Sequence, residues 1–60
     1  MQFIYSCRYQ LGGGRWKSFE RTFAADSIEA GVTKGRAMLS RSVKYQAYNI
    51  HGEKLLEAGA

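Results

Sequence analysis

Two residues of this chain could together perform nucleophilic chemistry. Cys7 is the one cysteine and His51 the one histidine, and a thiol beside an imidazole is the minimum for a nucleophile and its base. Cys7 alternates with Tyr5 and Tyr9, so we expect it to point into a core and pack as a small hydrophobic group. We expect His51, which precedes Gly52, to lie at a solvated turn. No third group that would orient the pair is visible, and we therefore expect no enzyme.

Metal and cofactor chemistry are equally unexpected. One cysteine and one histidine fall short of the four ligands that a structural zinc site needs. Gly12-Gly13-Gly14 is not followed by a helix as in a phosphate-binding loop, and the nearby Lys17-Ser18 pair lies within a predicted strand. The glycine run stands instead between two predicted strands. The sequence therefore predicts a turn at these glycines and no cofactor.

Basic side chains with a tryptophan among them carry the stronger signal. Nine Lys+Arg stand against five Asp+Glu, a formal net charge of +4. Cations interleaved with an exposed aromatic ring suit phosphate contacts combined with base stacking, and a two-stranded ribbon fits a DNA major groove. The candidate partner-binding residues on the hairpin and around the helix end are Arg8, Arg15, Trp16, Lys17, Arg21, Arg36, Arg41 and Lys44.

Two kinds of partner fit these residues. One is DNA or RNA, held by phosphate contacts. The alternative is an acidic protein surface, because Tyr, Trp and Arg are also enriched at protein-interface hot spots. An uncovered sheet edge would in addition allow a homodimer. Composition does not separate these partners.

Length and composition favour a binding surface over an enclosed site. Sixty residues allow a single domain, 1–60, and a chain of this size buries only about 60% of its unfolded surface. A pocket of roughly 300 Å³ would hollow out such a core. No apolar run approaches the ~20 residues of a membrane span, and no signal peptide is evident after Met1. With one cysteine, a reducing compartment is favoured, so we expect a cytoplasmic protein that does not bind membranes.

The first half of the chain predicts a hairpin followed by a helix. Alternating residues predict strands over 2–10 and 15–23, joined by the glycine turn. Asp26 is the expected N-cap, with Glu29 at the reciprocal N3 position, and the helix is expected to continue to about Ser40. The residues expected to face the sheet are Ile28, Val32, Gly35 and Leu39, with Gly31 and Met38 beside them.

The last third of the chain predicts a further strand over 43–50. His51-Gly52 is expected to be a two-residue turn, and 53–57 to return as a short fourth strand or a helical turn. Tyr45 and Tyr48 differ in parity, so one of them should be exposed. We expect 58–60 to fray.

These elements predict an α+β fold with one helix packed on one face of a small antiparallel sheet, in the order β-β-α-β with a possible last β. The outline resembles two groups of small proteins. One comprises phage-encoded proteins that bind and inhibit host enzymes. The other comprises antitoxin-type domains in which a glycine hairpin precedes an F-x-x-D-S-x-E-A helix start, here Phe23 to Ala30. The first resemblance implies a regulatory protein-binding role.

Overall fold

A computed structural model describes residues 1–58 and contains three strands and one helix. The elements are β1 (Gln2–Gln10), β2 (Lys17–Ala24), α1 (Ile28–Ser42) and β3 (Asn49–Glu57). Both β2 and β3 pair antiparallel with β1, which gives the sheet order β2-β1-β3. The predicted α+β fold and its β-β-α-β order are confirmed.

The hairpin of β1 and β2 supplies five of the seven buried core residues of the described chain. Phe3, Tyr5 and Cys7 are buried, as the period of two predicts, and Phe3 and Cys7 stand opposite Phe23 and Phe19. Aromatic residues at this spacing suit a half-buried strand because their rings pack along one face of the pleat. The expectation that Cys7 lies in the core is confirmed.

The helix begins one residue later than predicted. Ser27 is the N-cap, with extended backbone angles, and its Oγ accepts a hydrogen bond from the Ala30 N–H at 3.1 Å. The predicted cap at Asp26 is wrong, and Glu29 is consequently not at the N3 position. Asp and Ser are almost equally good caps, so an adjacent pair leaves the start ambiguous by one residue.

The helix face is predicted correctly at its centre and end, but not at Ile28, and Val32 is only half-buried. Gly31, Gly35 and Leu39 are buried against the sheet. Ile28 was expected beside them but is 66% exposed. Side chains of a helix are tilted toward its N-terminus. The side chain of Ile28, the first helical residue, therefore projects beyond the part of the helix that packs against the sheet.

The predicted strand over 43–50 is wrong for 43–48, and only its last two residues, Asn49 and Ile50, lie in a strand, β3. The helix continues to Ser42, and the Tyr45 N–H donates to the Ser40 carbonyl at 2.8 Å. The Lys44 N–H donates to the Arg41 carbonyl at 3.0 Å. This pair of bonds is a Schellman motif, which terminates a helix and reverses the chain. The β-favouring side chains predicted a strand here, but the backbone N–H groups of Lys44 and Tyr45 are bonded to carbonyls of the last helical turn.

The last strand is one element rather than two. Ser6 stands opposite Lys54 and Arg8 opposite His51, so β3 holds one residue more than β1 across this stretch. That is a β-bulge, and Gly52 adopts φ +67° there. The predicted His51-Gly52 turn and separate fourth element at 53–57 are therefore wrong.

Two further expectations concern the chain after the helix. Tyr45 is exposed while Tyr48 packs against the core, so one tyrosine is exposed as expected, although neither lies on a strand. The Ala58 N–H bonds to the Gln2 carbonyl at 2.8 Å, which contradicts fraying at that residue. Residues 59 and 60 lie outside the described residues.

Candidate nucleic-acid interface

The sheet has one face covered by the helix and one that is open. Residues paired across antiparallel strands point to the same side, so the register assigns every side chain to a face. In a regular strand, His51 and Lys54 would point to opposite faces because they are three residues apart. Because the bulge adds one residue to β3 between them, both point away from the helix. This open face consists of Ile4, Ser6, Arg8, Gln10, Ser18, Glu20, Thr22, Asn49, His51, Lys54 and Leu56.

An aromatic pair spans the central strand of the open face. Trp16 precedes β2, and His51 lies on β3, on the other side of β1. Their ring centroids are 6.1 Å apart with the planes at 67°, an edge-to-face arrangement. Trp16 remains 42% exposed. A flat indole held by a second ring and still open to solvent is a surface on which another aromatic group can stack.

The open face and the adjoining hairpin tip carry net positive charge. Three of the nine basic side chains, Arg8, Arg15 and Lys54, lie there together with one of the five acidic side chains, Glu20. These groups amount to two of the four units of net charge. An anion that approaches this face is therefore attracted to it.

The glycine turn presents the tip of the hairpin. Gly12 adopts φ +56°, which glycine reaches without steric cost, and the Gly14 N–H closes the turn on the Leu11 carbonyl at 3.0 Å. Arg15 extends from this turn and is exposed, whereas Lys17 is the first residue of β2 and is exposed on the helix side, opposite Tyr9. The glycines thus shape the loop from which Arg15 extends.

Arg36 is held by another side chain. Its guanidinium binds Glu53 through two hydrogen bonds, 2.7 Å from Nε to Oε2 and 2.8 Å from Nη2 to Oε1. The Tyr5 hydroxyl donates to the same Oε2 at 2.5 Å. These bonds lower the pKa of the Glu53 carboxyl and raise that of Arg36. Arg36, a predicted partner-binding residue, is thus engaged within the chain.

Arg21 and Arg41 lie together on the helix side. With Met38 they line a shallow groove between the free edge of β2 and the helix. Arg21 is also engaged within the chain, because its guanidinium lies 4.5 Å from the centre of the Phe19 ring and donates to the Glu20 carbonyl at 2.7 Å. The sheet separates this groove from the open face.

The eight predicted residues therefore fall into three groups. Arg8, Arg15 and Trp16 lie at the open face and hairpin tip. Lys17 and Lys44 lie at the same end of the molecule, Lys17 on the helix side of β2 and Lys44 in the turn before β3. Arg21 and Arg41 share the helix-side groove, and Arg36 belongs to the Glu53 network. Lys54 was missed and His51 was assigned only to a turn. Recognising Gly52 as a bulge would have placed both on the open face.

Cys7 and His51 do not form a reactive pair. The Cys7 side chain faces the helix and His51 faces the opposite side of the sheet. Burial raises the pKa of the Cys7 thiol, which keeps it in the unreactive protonated form. Within residues 1–58, no three Cys, His, Asp or Glu side chains are grouped as metal ligands.

Helix α1, the helix of the described part of the chain, does not meet the length or apolarity required to cross a bilayer. Comparison with protein-family models, with curated proteins and with solved structures finds no match to this chain.

Proposed function

We propose that this protein binds nucleic acid through the open face of its sheet and the adjoining hairpin tip. The observation that carries the proposal is the exposed Trp16, held edgewise by His51 across the central strand on the face that also carries Arg8 and Lys54. Arg8, Arg15 and Lys54 contact phosphates, and Trp16 stacks on a base. Stacking tolerates any sequence because every base presents a π-face.

The dimensions of the sheet support this role. Neighbouring strands lie about 4.8 Å apart, so three strands present a strip roughly 10 Å wide between the outer backbones. That width is close to the roughly 12 Å of a DNA major groove. It also accommodates a single strand laid across the pleat. Either form of nucleic acid can reach the cations of the open face.

The test is a titration with DNA and RNA oligonucleotides, followed by the fluorescence of the one tryptophan. Stacking on Trp16 quenches its emission. Affinity should fall steeply between about 50 and 200 mM salt because bound cations release counterions from the phosphates. Trp16→Ala, followed with a labelled oligonucleotide, should weaken binding. No binding to single-stranded or duplex DNA or RNA at low salt would overturn the proposal.

A protein partner is the second candidate, favoured by the free edge of β3. The β2 edge is protected, since Arg21 and Lys34 donate to the Glu20 and Ala24 carbonyls that face away from β1, at 2.7 and 3.1 Å. On β3, Ile50 and Leu56 are exposed beside an unpaired backbone. A homodimer or an added partner strand would therefore pair with β3. Light scattering distinguishes the two, because only the homodimer doubles the mass of the purified chain.

A further inference from the structure

The turn after the helix holds two residues in a conformation that favours glycine. Lys44 has φ +56° and Tyr45 has φ +61°. Lys44 is the C′ residue of the Schellman motif, a position that is most often glycine. Side chains in the left-handed region crowd the following carbonyl, whereas glycine does not. The sequence therefore retains two side chains at positions where glycine would be more stable.

Neither side chain compensates for this strain inside the molecule. Tyr45 is 75% exposed, so it does not form the hydrophobic contact that often accompanies a Schellman motif. Lys44 is also exposed. Within residues 1–58, neither takes part in an ion pair or an aromatic contact. Backbone strain that persists at exposed positions points to a functional role for these side chains rather than a role in stabilising the fold.

The fold places this turn at the same end of the molecule as the hairpin tip. Asn49 follows the turn and pairs with Gln10 at the end of β1. Trp16 lies on the open-face side of this end, and Tyr45 follows the helix that covers the other face. The molecule is 38 × 17 × 14 Å, and its two shorter dimensions limit the width of the end that a ligand would wrap.

We propose that Lys44 and Tyr45 form a second contact region for a single-stranded nucleic acid, which passes from Trp16 around this end to Tyr45. The inference rests on the proposed function and narrows it to single strands. A duplex, with a persistence length of about 150 base pairs, does not bend around an end so narrow. A single strand does, and it can stack one base on each ring. Lys44 then contacts the intervening phosphates.

Glycine substitutions test the inference because they separate binding from folding. Tyr45→Gly and Lys44→Gly relieve the strained backbone and should raise the melting temperature. Tyr45→Gly should nevertheless weaken binding of a labelled oligo-dT of about 12 nucleotides by about fivefold or more, the lower range for a lost stack. Lys44→Gly should reduce the salt dependence of binding. Wild type should bind this strand more tightly than a duplex of equal length.

Two controls isolate the contribution of the Tyr45 ring. Tyr45→Phe keeps a stacking surface and should retain the affinity. Ile28→Ala, at another exposed position at the opposite end, should leave it unchanged.

If Trp16→Ala weakens binding while Tyr45→Gly does not, the inference of a second contact region at Lys44 and Tyr45 is wrong and the proposed function stands. Equal affinity for the duplex overturns the single-strand inference in the same way. If wild type binds no nucleic acid, both proposals are wrong.

Discussion

Gly35 lies directly against the aromatic ring of Tyr5. A Cβ at position 35 would stand 2.5 and 2.8 Å from the two Cδ atoms of that ring, and closer still to Cγ. Tyr5 has no room to move, because it is fully buried and its hydroxyl is bonded to Glu53. The glycine therefore sets how closely the helix approaches the central strand.

Gly35→Ala should destabilise the protein by about 1–3 kcal/mol, the usual range for overpacking a core. Gly31→Ala should cost less, because the nearest atom to its added Cβ, at 2.7 Å, is Leu55 Cδ2, the end of a flexible side chain. Thermal and urea unfolding of both variants measure the difference. A Gly35→Ala variant more stable than wild type would show that the helix does not approach Tyr5 this closely.

Acid should destabilise the protein through Glu53. Hydrogen bonds from Arg36 lower the pKa of this carboxyl from its ordinary 4.5, and that from Tyr5 lowers it further. A lowered folded-state pKa contributes stability that is present above pH 4.5 and is lost as pH falls through the lowered value. Urea unfolding from pH 6 to about pH 2 measures this loss. Glu53→Gln should flatten the profile.

Alkali should destabilise the protein through Tyr5. Burial, reinforced by the hydrogen bond to Glu53, raises the pKa of this phenol above its ordinary 10.0. A raised folded-state pKa contributes stability that is complete below pH 10 and is lost as pH rises further. Phenolate absorbance should show one tyrosine ionising only together with unfolding, and Tyr5→Phe should remove that component. Four tyrosines titrating in the intact fold would contradict this environment for Tyr5.

Arg8 and Arg36 form a matched pair for separating binding from stability. Arg8 lies exposed on the open face, whereas Arg36 is bound to Glu53 on the helix side. Arg8→Gln should weaken nucleic-acid binding and reduce the salt slope by about one. Arg36→Gln should leave affinity nearly unchanged and lower the melting temperature. The reverse pattern would place the nucleic acid on the helix side.

The sequence determined those parts of the fold that depend on local patterns. Alternating aromatic residues specified β1 and the buried side of Cys7, three glycines specified the hairpin turn, and the spacing of Gly31, Gly35 and Leu39 specified the helix face. Each signal lies within one element, where the period of side chains decides which of them are buried. The placement of Arg8 and Trp16 on one hairpin follows from the same patterns.

The tertiary structure decided what depends on pairing between distant segments. The bulge at Gly52 joined two expected elements into β3 and turned His51 and Lys54 to the open face, and a bulge exists only relative to the partner strand. Composition does not distinguish the nine basic residues, and it was the tertiary structure that brought Arg36 into an ion pair with Glu53. The backbone bonds of the helix end overrode the strand propensity around Tyr45, because carbonyls at a helix terminus need donors regardless of which side chains follow.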